Sequence, residues 1–208
     1  GDGEGGGAAS AGGAPGTGAT SGIGGAVPAA PGLRDTPLVY DTDAVFDRSV
    51  IRRVDVTIPT DNGPPSSWDS INEEAPTDGC VATTRNYYSG SVSFDGQSRD
   101  DVGVRVKGGC GSWRYLEEKP SLKISLRWDS DPTTACPADR SISGRRTLTL
   151  NNGVQDPTAL HEHLTYQFYR LVGIPAPLTA SVQVFINGEY YGVYQLVESI
   201  DRPFLKRW

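Results

Sequence analysis

The chain has 208 residues, with 19 basic and 25 acidic side chains and a formal net charge of −6. No basic stripe runs along it, which sets nucleic-acid binding aside. No apolar run approaches the roughly 20 residues of a membrane-spanning helix.

Residues 1–32 are nearly all Gly, Ala, Ser, Thr and Pro, with Ile23 and Val27 the only large aliphatics. Such a segment cannot bury enough apolar surface to offset its ordering entropy. It is expected to be a disordered tether. The sequence holds no Met and starts at Gly1, the appearance a cleaved signal peptide leaves. A tether of this composition suits a lipid-anchored bacterial surface protein, and an expression fragment would look the same.

The folded part begins near Leu33. Val50–Ile58 alternates and is β-branched, so it reads as a strand, and Pro59–Pro65 as a turn region. Tyr87–Phe94 alternates again, with a shift near Gly90. Asp95-Gly96 is a turn signal, and Val102–Lys107 is the returning strand. Gly108–Ser112 is a glycine-rich loop whose N–H groups could face an anion, with an ordinary hairpin turn as the alternative. Leu122, Ile124 and Leu126 share one strand face, and Ser121, Lys123, Ser125 and Arg127 the other. Asp129–Gly144 is a polar connection, and Arg146–Asn151 a short strand.

The period then changes. Asp156-Pro157 predicts a helix from Pro157 to Val172, with Leu160, Leu164, Phe168 and Leu171 in an apolar stripe. Glu162, Tyr166 and Tyr169 form a second face, which implies that this face also meets something. Gly173 and Pro175 end the helix. Ser181–Ile186 and Tyr190–Val197 are strands joined by Asn187-Gly188, a strong hairpin signal. Asp201-Arg202-Pro203 opens a further segment, helical through Trp208.

Cys80, Cys110 and Cys136 include no Cys-x-x-Cys pair, which argues against zinc and thioredoxin-type chemistry. The hairpin reading sets Cys80 and Cys110 at the same end of neighbouring strands. They are the expected disulfide, in keeping with an extracytoplasmic protein; three unlinked thiols is the alternative. His161-Glu162-His163 is no zinc-protease pattern, since residues two apart on a helix point roughly 200° apart. There is no Walker loop, EF-hand or nucleophile elbow. What remains is Lys123, mid-strand, and Glu162, on the following helix. A strand lysine paired with a helix carboxylate is how kinase-like folds hold nucleotide phosphates. Two solvated surface charges are the plain alternative.

Five ordered segments carry a resemblance. Val102–Gly108 contains Val-Arg-Val-Lys-Gly, and Lys119–Leu126 reads Lys-Pro-Ser-Leu-Lys-Ile-Ser-Leu. Leu150–Pro157 reads Leu-Asn-Asn-Gly-Val-Gln-Asp-Pro and precedes Glu162. Gly173–Pro177 and Val184–Tyr194 complete the set. In this order they resemble the CotH kinase family, the spore-coat-type atypical protein kinases, from about Val45 to Trp208. The sequence departs from the family pattern at Pro120, His161, His163 and the Gly109–Gly111 loop.

The resemblance implies an α+β fold, mainly antiparallel sheet with one central helix, like the N-lobe of an atypical kinase. That lobe would span 33–198, and 199–208 would be the hinge and the start of a missing C-lobe. Lys123 would contact the phosphates of ATP, and Glu162 would be its partner. The backbone of Val197, Glu198 and Ser199 would meet adenine. Mg²⁺ would be held by aspartates that no residue here matches, so no catalytic or metal residue is assigned and the fragment is expected to be inactive. The intact protein would phosphorylate Ser or Thr of an extracytoplasmic protein, itself secreted or anchored at the bacterial cell surface. The rival readings are a non-catalytic adhesion or coat-assembly module and a carbohydrate-binding sandwich using Trp68, Trp113 and Trp128.

Overall fold

The computed structural model describes residues 43–75, 85–109, 111–128 and 140–208. The tether expected over 1–32 and the Cys80–Cys110 bridge lie outside these residues. Seven strands form: β1 (Arg52–Thr57), β2 (Tyr88–Phe94), β3 (Gln97–Lys107), β4 (Ser121–Ser125), β5 (Thr147–Asn151), β6 (Thr179–Ile186) and β7 (Glu189–Val197). Three short helices accompany them: α1 (Ser67–Glu73), α2 (His161–Leu171) and α3 (Arg202–Arg207). A 3-10 turn spans Ala44–Phe46. None of these helices is long and apolar enough to cross a membrane.

The strands pair in the order β1-β2-β3-β4-β5-β7-β6, and β6 returns to β1 to close a barrel. All pairs are antiparallel except β1 with β6. This corrects the expected α+β lobe with a central helix. The alternating residues explain why no central helix is needed. Val54 faces Phe94 and Val184, Leu122 faces Leu150, and Leu150 faces Leu196. All are essentially buried. Once the sheet closes, its inward side chains make the core by themselves.

Two local devices shape the barrel. β2 shifts register between Gly90 and Val92; a Cβ at Gly90 would stand 2.7 Å from the Thr57 carbonyl oxygen. At the β6–β7 turn, Asn187 and Gly188 have φ of 49° and 87°, the conformation such a hairpin requires. Asn187 also donates its amide N–H to Val56 O, accepts from Ile58 N at 2.8 Å and donates to Ile58 O. The turn is thereby stitched to the end of β1, where the barrel closes.

α1 fell in a stretch with no predicted element. Its start is capped reciprocally: Asp69 N–H donates to Ser66 Oγ, and the Asp69 carboxylate accepts from the Ser66 backbone. α2 begins four residues later than expected. The Asp156 carboxylate accepts from Thr158 N, Thr158 Oγ1 and His161 N. Ala159 takes the left-handed conformation, with φ 54°, so a separate turn precedes the helix. The apolar stripe of α2 faces solvent: Leu160, Leu164 and Phe168 are 53%, 55% and 59% exposed.

Candidate functional site

The outward side chains of neighbouring strands line up in rows. One row runs Arg105, Lys123, Thr149, Val197, Thr179, each opposite the next. Beside it, Lys107 stands opposite Ser121, and Asn151 opposite Gln195, which faces Ser181. α2 lies against the β5–β7–β6 end of these rows. Gln195 Nε2 donates to Ala159 O at 2.9 Å, and His163 Nδ1 is 2.7 Å from Thr179 Oγ1.

Arg48 fixes the state of that histidine. Its guanidinium donates to His163 Nε2 at 3.1 Å and to Gln167 Oε1. Arginine has no acceptor, so Nε2 accepts and Nδ1 donates to Thr179. Burial, then the charges of Arg48 and Arg170, push His163 below the usual histidine range, and the ring is neutral at pH 7.

Glu162 sits on the same side of α2. Asn151 Nδ2 donates to both of its carboxylate oxygens, at 2.7 and 2.8 Å, and Lys107 Nζ donates to Asn151 Oδ1. Asn151 thus links strand cation to helix carboxylate. Burial pushes Lys107 below the ordinary lysine range; Glu162 opposes this, while Lys123 and Arg105 add to it. Tyr166, on the same helix face, is pushed up by burial and then by the Glu162 charge.

These groups border a cavity of about 250 Å³, lined by Lys107, Ser112, Ser121, Asn151 and Glu162 among others. Asn152, 3% exposed, holds its walls together. Its amide N–H donates to Ser121 Oγ, and its side chain donates to Ser112 O and Lys119 O. Asp156 also lines it. The Thr158 hydroxyl chiefly, against a smaller effect of burial and with help from His161, holds its carboxyl well below the usual range.

The remaining predicted site residues fall as follows. Lys123 stands one strand over from Lys107, and no hydrogen bond or ion pair joins it to Glu162 among the described residues. Val197 is built into both the β5 and the β6 ladder. Ser199 Oγ is 3.2 Å from Thr149 Oγ1, and Thr149 faces Lys123. The Glu198 N–H already donates to Leu178 O. Its carboxylate takes Arg145, Arg207 and the Leu178 amide. Burial would raise that carboxyl, but Arg207 and the other donors outweigh it and hold it below the usual range. Among the described residues no group of His, Cys, Asp and Glu is arranged to hold a metal. Sequence reasoning overlooked Asn151 and Lys107 as partners of Glu162. Both lay inside the quoted motif segments, but only their pairing across β3, β4 and β5 shows that they meet.

Residues 104–208 match the family model described as CotH kinase protein. The chain belongs to the CotH family. An inner spore coat protein H-like protein of Bacillus subtilis (strain 168) is 38% identical over 81 residues. That region is 39% of this chain and 22% of the relative, so the match spans about a fifth of the curated protein. The family match takes in β4, β5, α2, β6, β7 and α3 with the residues that line the cavity, Lys107, Asn151 and Glu162 among them, and also Lys123.

Proposed function

We propose that this CotH-family chain is the nucleotide-contacting part of a protein kinase whose intact form transfers the γ-phosphoryl of ATP to Ser or Thr. The observation that carries this reading is the helix carboxylate Glu162, tied through Asn151 to Lys107 beside Lys123, at the rim of a polar cavity. Catalysis of phosphoryl transfer is mostly positioning and charge neutralisation, and a helix carboxylate that orients a strand cation serves that purpose. Lys123 and Lys107 would meet the phosphates, and the Val197–Ser199 segment would lie along the base. Mg²⁺, when bound, neutralises charge on the β- and γ-phosphates. The acceptor would be an extracytoplasmic protein, and the protein itself secreted or anchored at the cell surface, in line with the coat assignment in the relative's name.

The test is thermal unfolding of the full-length protein with ATP, with and without Mg²⁺. Wild type should shift upward, and Lys123→Ala and Glu162→Gln should not. No shift of the wild type would overturn the reading. It would favour a second one, a coat-assembly module without catalysis, which the exposed Leu160, Leu164 and Phe168 face also suits.

A further inference from the structure

The outward face of β2–β3–β4 is strongly cationic in a chain of net charge −6. Arg105 and Lys123 stand directly opposite each other across the β3–β4 ladder, and Lys107 is two residues along from Arg105 on the same face. Like charges in directly opposed positions destabilise a sheet. Arg85, just before β2, brings a fourth cation. Burial first, then the Arg105 charge, push Arg85 below the ordinary guanidinium range, against the pull of Glu74.

Glu74 does not satisfy that guanidinium. Its carboxylate is occupied by Asn86 N, Asn86 Nδ2 and the Tyr88 hydroxyl. Among the described residues, Nε and Nη2 of Arg85 and Nε of Arg105 are buried with no hydrogen-bond partner. Buried charged donors left unpaired are costly. Arg105 is also held in place, its guanidinium carbon 5.1 Å from the centroid of the Tyr87 ring. Among the described residues, the acids acting on Arg85 and Lys107 are Glu74 and Glu162. Set against four cations they leave a surplus of positive charge with unspent, partly fixed donors. An oxyanion-rich ligand removes both the repulsion and the unpaired N–H groups, and the guanidinium fork suits phosphate oxygens.

We propose that Arg85, Arg105, Lys123 and Lys107 form a track for a chain of phosphate groups, in which Arg85 and Arg105 hold a phosphoryl group beyond the reach of Lys107. The phosphate chain of a nucleotide and a free inorganic one present the same chemistry to the strip. The site does not depend on turnover, and it stands apart from whether adenine is recognised.

Isothermal titration of the 208-residue chain with inorganic tripolyphosphate, and separately with ATP, at low salt and without Mg²⁺, tests this. Tripolyphosphate should bind, and Arg85→Gln and Arg105→Gln should each weaken it five- to tenfold or more. Arg53→Gln, which removes a cation paired with Asp55 on β1, should leave it unchanged. Because each Gln relieves repulsion, both track variants should melt no lower than wild type, which separates lost binding from lost folding. ATP bound as tightly as tripolyphosphate, with the same dependence on Arg85 and Arg105, identifies the nucleotide as the source. Tripolyphosphate bound without ATP identifies a free phosphate chain. No binding of either, or equal weakening by Arg53→Gln, overturns the proposal. So does ATP binding that is lost in Lys123→Ala but indifferent to Arg85 and Arg105, a result that leaves the kinase reading standing.

Discussion

Replacing Glu198 by Ala probes how the barrel holds its flanking segments. The Glu198 side chain is 1% exposed. Its carboxylate accepts from Arg145 Nη1 at 2.8 Å, from both terminal nitrogens of Arg207, and from Leu178 N at 3.0 Å. Arg145 also reaches Asp43. One carboxylate therefore ties α3, the start of β6 and the 3-10 turn to the barrel. On its removal Arg207, 27% exposed, turns to water at little cost. Arg145, 10% exposed, keeps Asp43 as its one ion-pair partner among the described residues, with the Phe46 ring beneath it. Breaking a buried ion pair from one side costs about 3–5 kcal/mol, and the surviving Asp43 places this case below that range. The orphaned Leu178 N–H adds about 1–3 kcal/mol. Glu198→Ala should thus lose about 3–4 kcal/mol in urea unfolding followed by tryptophan fluorescence, out of about 5–15 for a typical domain. Glu198→Gln keeps an acceptor for Leu178 and should lose roughly half of that. The pH dependence has a definite sign. The folded carboxyl lies below its ordinary value near 4.5, so its contribution is complete above that value and fades as pH falls through the folded pKa. The gap between wild type and Glu198→Gln should close in acid. A loss under about 1 kcal/mol for Glu198→Ala at pH 7 would refute the reasoning.

Gly90→Ala should cost about 2–3 kcal/mol in the same assay, because its Cβ meets the Thr57 carbonyl of the neighbouring strand, which cannot swing aside. His163 is held neutral by burial with Arg48 alongside. Its folded pKa is lowered, so its contribution is intact above the unfolded value near 6.5 and is lost as pH falls below it. Wild type should lose more stability between pH 7 and pH 5 than His163→Asn does, and parallel curves would contradict this. Leu164→Glu and Phe168→Glu replace residues more than half exposed and should each change stability by less than about 0.5 kcal/mol; a loss above about 1.5 kcal/mol would mean that the stripe is packed.

The strands were legible because each has a period of two, and even the shift at Gly90 shows in the residues before Val92. The closure was not. Val54 pairs with Val184 in parallel, and an alternating strand looks the same whether it ends a sheet or meets a partner 130 residues away. α1 was missed although Ser66 and Asp69 have the spacing of a capping box, because the prolines before it dominated the reading. Glu162 was legible as an acid on an unusual helix face. Lys107 and Asn151 were not, because three strands must be set in register before Lys107 lies beside Asn151.

The orientation of α2 follows from the same closure. A helix beside an open sheet covers the apolar face of that sheet with its own apolar stripe. Here the barrel has already consumed its apolar face, and apart from Val197 what it offers outside is Thr149, Asn151, Thr179 and Gln195. A helix lying on that surface must bring hydrogen-bonding groups to it, and α2 brings Glu162 and His163. Leu164 and Phe168, with Leu160 just before the helix, are then left facing outward as an apolar patch of the kind that marks an interaction surface. Polar chemistry between helix and barrel and an uncovered apolar helix face are thus one consequence of the seven strands closing on themselves.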